Sequence, residues 1–387
     1  MQKKEPYEYK ERQIENMEDR AFRIGEGKIS GSVACFLGVL SFLAVLCYKF
    51  PAYLTVTELR AGYDHEMLRH VLMVSMWASL IFGILTFVVG KQRKLGAIGV
   101  LFTAAAFALG GYTVEAGKVG QNQLSLGLDW LVLTLLASVI LFTFLEKIFP
   151  KYKEQAILRP EWQLDLLYFS VNHLIFAVLL LIGNYFTSTV FGWAASADVQ
   201  EFIQSLPLAA QVIILVLCAD FVLYWSHRMF HENPRLWRIH AVHHSVEHMD
   251  WLAGSRNHIM QTIVDRSIAM IPLYLLGPDK AALDIYVVFA GLQAVLVHAN
   301  LGIPFGPLKY IICTPQYHHW HHSSEAPAID TNYAVHMPIF DMVFGTYHMP
   351  SKHWPAHYGT TIRLPRTYIK QFLYPFKPRK KKNKDAA

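Results

Sequence analysis

The sequence predicts an all-helical, polytopic membrane protein with about eight transmembrane or re-entrant helices and a histidine-rich metal site at their cytoplasmic ends. Three observations predict it. The composition is 53% hydrophobic and only 17% charged, with a mean hydropathy of +0.26, too apolar for an ordinary soluble chain of 387 residues. Apolar runs long enough to cross a bilayer recur along the chain. Twelve of the nineteen histidines fall between His227 and His322, grouped at helical spacing.

Residues 1–28 are polar, mix both signs of charge and lack an apolar core, so they read as a cytoplasmic extension and not as a secretory signal. Spans are expected at 29–49, 67–90, 95–113, 127–148, 166–189 and 207–226. Two shorter runs, 260–276 and 282–298, flank the turn-forming Gly277-Pro278-Asp279-Lys280 and make a full or shallow hairpin. The block 29–150 has no histidine cluster and reads as scaffold, with a division near residue 160. The segment 165–350 carries the chemistry, and 351–387 is a basic tail.

Lysine and arginine follow the even-numbered spans: Lys91, Arg93 and Lys94, then Lys147, Lys151, Lys153 and Arg159, then Arg228, Arg235 and Arg238. By the positive-inside bias, these exits, both termini and every histidine cluster are cytoplasmic. The net charge of +6 therefore reads as membrane topology, with no call for nucleic acid. The cysteines Cys35, Cys47, Cys218 and Cys313 are dispersed and suggest neither a disulfide framework nor a Cys-x-x-Cys site.

The histidines form three clusters: His227 with His231, His240 with His243 and His244, and His318-His319-Trp320-His321-His322. On a helix, residues three and four apart share a face, so each cluster is expected to aim two or three imidazoles at one point. A structural zinc needs only four ligands, whereas these clusters offer eight well-placed histidines. Imidazole suits zinc, iron, copper and nickel alike, so ligand type alone leaves the metal open. Isolated histidines such as His65, His70 and His173 read as ordinary hydrogen-bonded residues.

Around these clusters stand Asp220-Phe-Val-Leu-Tyr224-Trp-Ser-His227-Arg228-x-x-His231, Trp237-x-x-His240-x-x-His243-His244-Ser245, Arg256-x-His258 and His298-Ala-Asn300. Farther on come Thr314-Pro315-x-x-His318-x-x-His321-His322-Ser323, Asp330-x-Asn332-Tyr333 and Phe340-Asp341-x-x-Phe344-Gly345-Thr346. This ordered set resembles the membrane-bound fatty acid hydroxylase and sterol desaturase superfamily of di-iron oxygenases, over about half the chain. Ala334 stands where that family usually has glycine, and Phe340 where it often has tryptophan.

The resemblance implies metal-ligand roles for His227, His231, His240, His243, His244, His318, His321 and His322, with His258 and His298 as ninth and tenth ligands. It also implies two iron ions, dioxygen as co-substrate, and hydroxylation or desaturation of a lipid substrate: a fatty acyl chain, a sterol, an alkylglycerol or an aminolipid. His319 is extra to the motif and is expected to support the site or face solvent. His248, His336, His348, His353 and His357 match no ligand position and are expected at the surface.

Asp220 and Tyr224 lie on the same helical stripe as His227 and His231. An aspartate inside an apolar span is costly, so Asp220 is expected to hold a ligand histidine in place. Asp341 and Asn300 are further candidates, Asp341 equally suited to a turn. Attack on an unactivated C–H bond needs an oxidant that side chains cannot supply, so oxygen activation at a redox metal is expected. No haem, iron–sulfur or nucleotide-binding motif is present in the sequence, so electrons are expected from an external ferredoxin or cytochrome with its reductase, met by basic residues that include Lys352 and the 379–384 run. The rival reading is a histidine-rich zinc membrane protein: a hydrolase, a transporter or a structural unit.

Overall fold

The structure, a computed structural model, describes residues 27–60, 62–118, 125–350, 353–362 and 364–378. Most of the polar N-terminal extension, Lys352 and the basic run from Arg379 lie outside the described residues. Within them every regular element is helical, and the only β pairings are the isolated bridges Pro150–Leu301 and Ser323–Tyr358.

Six described helices are long and apolar enough to cross a membrane: 28–49, 65–88, 93–113, 128–148, 208–232 and 259–276. No more than 39% of any of these windows is buried within the protein. Side chains such as Val74, Ile81, Ile140 and Phe144 thus point outward, which water would penalise and lipid tails do not. The chain is an integral membrane protein.

The chain divides into two compact units, one up to Asp129 and one from Trp130. In the first unit, α1 (Lys28–Lys49), α2 (His65–Val88) and α3 (Arg93–Ala108) pack on one another. Asp64 starts α2 by accepting the backbone N–H groups of Glu66 and Met67. Small residues bring the backbones close: a Cβ added to Gly99 would sit 2.6 Å from the Ala34 carbonyl. The hydroxyl of Thr103 donates to Ser79, which donates to the Ala34 carbonyl, so these two buried hydroxyls are satisfied inside the bundle.

The second unit begins with α4 (Leu128–Ile148), most of which lies beyond the boundary. The division thus falls earlier than residue 160, and the fourth expected span groups with the histidine-bearing part. Glu146 shows why: one carboxylate oxygen accepts the backbone N–H groups of both Trp251 and Asn300.

The fifth expected span, 166–189, is two helices: α5 (Trp162–Leu174) and α6 (Phe176–Phe191). The first half carries Asp165 and Asn172, whose partners are Arg256 and the Ser255 carbonyl, so it packs against polar structure, while α6 carries the apolar run and no charged residue. Sixteen residues of α6 reach roughly 24 Å, short of a hydrocarbon core of roughly 30 Å.

After α7 (Ala197–Ser205), α8 (Leu208–Glu232) is the central helix. It packs against α9 (Trp237–His240), α10 (Ile259–Leu276) and α11 (Lys280–Leu296). The last two form the expected hairpin, broken at Gly277, whose positive φ of 51° closes α10 ahead of Pro278.

Candidate metal centre

The first histidine cluster ends α8, where Asn233 closes a turn by accepting the Arg235 N–H and Pro234 prevents the helix from continuing. The chain reverses into α9 and a 3-10 turn, His243–Ser245, which carry the second cluster. The third lies on α12 (Pro315–His321), started by Thr314, whose hydroxyl accepts the Tyr317 N–H, and by Pro315 in the first turn.

These elements bring nine buried histidines into two groups. His227, His231, His240, His244 and His321 form one, and His243, His298, His318 and His322 the other. The second and third clusters are each divided between the groups, contrary to the expectation that each aims at one point. Residues four apart on a helix diverge by about 40°, but adjacent residues by about 100°. The pairs His240/His244 and His318/His322 therefore stay together, while His243 and His321 turn to the opposite group. The groups abut: His244 stacks on His322 with ring centroids 4.4 Å apart.

The Nε2 atoms converge. In the five-histidine group, His240 lies 3.0 Å from His227 and 3.1 Å from His244, while His321 lies 3.0 Å from His244 and 3.3 Å from His231. In the other group, His322 is 3.0 Å from His243 and 3.1 Å from His318, and His298 is 3.0 Å from His318. Ligands at right angles around an ion about 2.1 Å away are about 3.0 Å apart, so these spacings match edges of a coordination shell.

The opposite ring nitrogens fix the tautomer of five of these rings. His227 Nδ1 donates to the Tyr333 carbonyl at 2.7 Å, His240 to Gln261 Oε1 at 2.8 Å and His321 to the Thr331 carbonyl at 2.9 Å. In the second group, His298 donates to the Ala294 carbonyl and His243 to that of Arg256. Those oxygens only accept, so the proton of each neutral ring sits on Nδ1 and Nε2 presents a lone pair. Burial, then the neighbouring rings, hold His243, His244, His321 and His322 well below the usual histidine range, which keeps them neutral at pH 7. His227 and His240, both so fixed, face each other with lone pairs at 3.0 Å, a contact that a cation between them would relieve. The donor set fits one metal ion per group.

His258 joins neither group, so its expected ligand role is corrected. Its Nδ1 accepts the Met260 N–H at the start of α10, and its Nε2 donates to the Phe372 carbonyl, which leaves no free nitrogen.

Asp220 touches no histidine ring. Its carboxylate accepts the backbone N–H groups of Val335, His336 and Met337, fixing the segment whose Tyr333 carbonyl orients His227. Asp341 clamps the same segment through the N–H groups of Tyr333 and Ala334 and the hydroxyls of Tyr317 and Thr346. The Tyr224 hydroxyl meets Thr346 and Arg228, away from the converging nitrogens. Asn300 binds both backbone groups of Tyr152. These four hold the frame around the histidines and do not line the metal groups.

His319 is buried between Tyr358 and the His298 carbonyl. His336, expected at the surface, is buried with its Nδ1 against Gln293 Oε1 at 2.8 Å. Of the basic residues that follow the sixth expected span, Arg238 is engaged by the carbonyls of Tyr374 and Lys377, and Arg228 pairs with Glu232.

Two further sets are absent from the sequence reading. Arg256, whose carbonyl orients His243, is fully buried and bonds Asp165 and Glu161, while Arg159 bridges Asp165 and Asp250 at 2.7 Å. Gln261, which orients His240, is hydrogen-bonded to Asp265, and Asp265 also accepts the Ser226 hydroxyl. Asp265 lies within an apolar span, the same signal that singled out Asp220.

Residues 212–346 match the fatty acid hydroxylase family. The chain is 36% identical over 173 residues to the ornithine lipid hydroxylase OlsE of Rhizobium tropici, covering 44% of this chain and 51% of that protein. It is 35% identical over 131 residues to the alkylglycerol monooxygenase of Homo sapiens, covering 34% of this chain and 29% of that one. A very-long-chain aldehyde decarbonylase of Arabidopsis thaliana is 29% identical over 138 residues, covering 33% of this chain and 21% of that protein. The chain thus spans about half or less of the length of these relatives. No solved structure matches it.

Proposed function

We propose, because residues 212–346 match the fatty acid hydroxylase family, that the chain is a di-iron oxygenase that hydroxylates a C–H bond of a membrane lipid. The observation that carries this reading is the pair of abutting histidine groups whose Nε2 atoms converge. His227, His231, His240, His244 and His321 would hold one iron, and His243, His298, His318 and His322 the other. Iron bound there supplies the activation of dioxygen that an unactivated C–H bond requires and that side chains cannot provide.

The chain's own residues supply the rest. The carbonyls of Tyr333, Thr331, Ala294 and Arg256 and the Gln261 amide hold five rings in the ligating tautomer. All nine rings are buried, which keeps bulk water from the reacting centre. One oxygen atom enters the lipid and the other leaves as water, with two electrons from an external carrier. An aminolipid or alkylglycerol is the substrate class favoured by the names of the relatives.

The histidine end faces the cytoplasm in this reading. Glu247 is exposed beside the second cluster, so a Glu247→Cys variant should react with thiol reagents only when they enter the cell. Labelling from outside intact cells would reverse the topology. Function is tested by comparing the lipids of a deletion strain with those of its complemented parent. A lipid heavier by one oxygen, present only with the gene and only with oxygen, is expected. A zinc-loaded protein with unchanged lipids would overturn the reading.

A further inference from the structure

His319 is a fully buried histidine beside the metal groups that ligates in neither. Its Nε2 donates to the carbonyl of His298, at 3.2 Å, and its Nδ1 lies 2.9 Å from the Tyr358 hydroxyl. Aromatic rings continue outward from it. The Trp354 ring centroid is 5.2 Å from that of His319, Tyr358 is 5.4 Å away, and Tyr152 is 6.3 Å beyond Tyr358. Trp354, Tyr358 and Tyr152 are each partly exposed, so this series of touching rings reaches from the side of His298 and His318 to the surface.

The series is held firmly. Trp320 and Gln316 on α12 both donate to the His353 carbonyl, and the Gly359 N–H donates to the carbonyl of His322. A segment outside residues 212–346 is thereby fixed against the helix that presents the third cluster. Three lysines stand around its outer end. Lys151 Nζ lies 5.0 Å over the Trp354 ring, and Lys147 and Lys153 line an adjoining cleft of about 360 Å³ with Tyr152. The acids nearby are Glu154, Glu146 and Glu325; Glu146 accepts two backbone N–H groups, and Glu325 is engaged by the Ala356 N–H.

We propose that the Lys151–Trp354 face is the docking surface for a small, acidic, one-electron carrier protein, and that its electrons enter through Trp354, Tyr358 and His319 toward the four-histidine group. The inference rests on the oxygenase reading, which requires electrons from outside. Each encounter oxidises the carrier by one electron and reduces one ferric ion to ferrous; two encounters serve one turnover, and no bond in the rings forms or breaks.

The test uses the full, iron-loaded chain under anaerobic conditions, with a reduced [2Fe–2S] ferredoxin as probe and dithionite as a small reductant that needs no docking. Wild-type protein should oxidise the ferredoxin in a reaction that slows as salt rises, and Lys151→Glu should slow it about ten-fold at low salt. Trp354→Leu and Tyr358→Leu should lose fast transfer, while dithionite reduces all variants alike and Arg235→Glu, a charge reversal at an exposed arginine elsewhere, changes nothing. Equal ferredoxin rates in wild type and all variants would overturn the inference, as would a wild type that dithionite reduces and ferredoxin does not. A chain without iron would sink the oxygenase reading itself. Should a leucine variant fail to fold, a ruthenium photoreductant attached through His353→Cys must reduce the iron faster than one attached through Arg235→Cys, and equal rates would again overturn the inference.

Discussion

The two units of this chain bury polar groups for opposite ends. Up to Asp129, the buried polar side chains in the helix packing are hydroxyls such as those of Ser79 and Thr103, which bond each other and neighbouring backbone so that three helices can pack closely. From Trp130 onward, nine imidazoles are buried with their Nε2 atoms converging in two groups, and full charges on Arg159, Asp165, Asp250 and Arg256 are buried behind them. In a medium that cannot solvate them, unsatisfied lone pairs are costly. The second unit concentrates polar nitrogen where a cation would offset that cost.

The largest expected effect comes from deleting a ring in each group. His321→Ala removes a ligand from the five-histidine group and His243→Ala one from the four-histidine group. Each should abolish lipid hydroxylation and lower the iron content while leaving membrane-inserted protein detectable. Full turnover in either variant would take that residue out of the site.

Next come the buried charges. Removing one partner leaves the other charge uncompensated, so Asp165→Asn or Arg256→Met should destabilise the second unit by roughly 3–5 kcal/mol, read as a lowered thermal midpoint in detergent. An unchanged midpoint would mean that the network contributes nothing to holding the Arg256 carbonyl on His243. Packing in the first unit is sharper to probe: Gly99→Val should cost roughly 1–3 kcal/mol by overpacking against Ala34, with iron per chain unaltered. Loss of iron in that variant would break the contrast between the units. The smallest effect belongs to His258→Ala, which removes a helix cap worth about 1 kcal/mol and should leave metal content alone. A drop in bound iron would restore His258 as a ligand.

The histidines were legible because ligation at helix ends forces short spacings, three and four, that chance rarely repeats. Their division into two groups is less visible, since it depends on where α9 gives way to the 3-10 turn that rotates His243 away from His244. His258 misled because a residue just before a helix can cap it as readily as bind a metal. The fifth span hid its break because hydropathy averages the polar Asp165–Asn172 stretch with the apolar run from Phe176. The acids Asp220 and Asp341 stood out as costly, but only the fold shows that they grip backbone and not imidazole. The Arg159–Asp165–Asp250–Arg256 network joins residues up to 97 apart in sequence, and no local pattern announces it.

The central claim is that two ions sit in two histidine groups, five rings on one and four on the other. The direct measurement is iron stoichiometry with Mössbauer spectroscopy on the full chain purified from cells grown on ⁵⁷Fe. The account predicts about two iron ions per chain in two distinguishable, magnetically coupled environments, with His321→Ala and His243→Ala perturbing different ones. A single zinc ion per chain, or iron whose spectrum neither substitution alters, would contradict it.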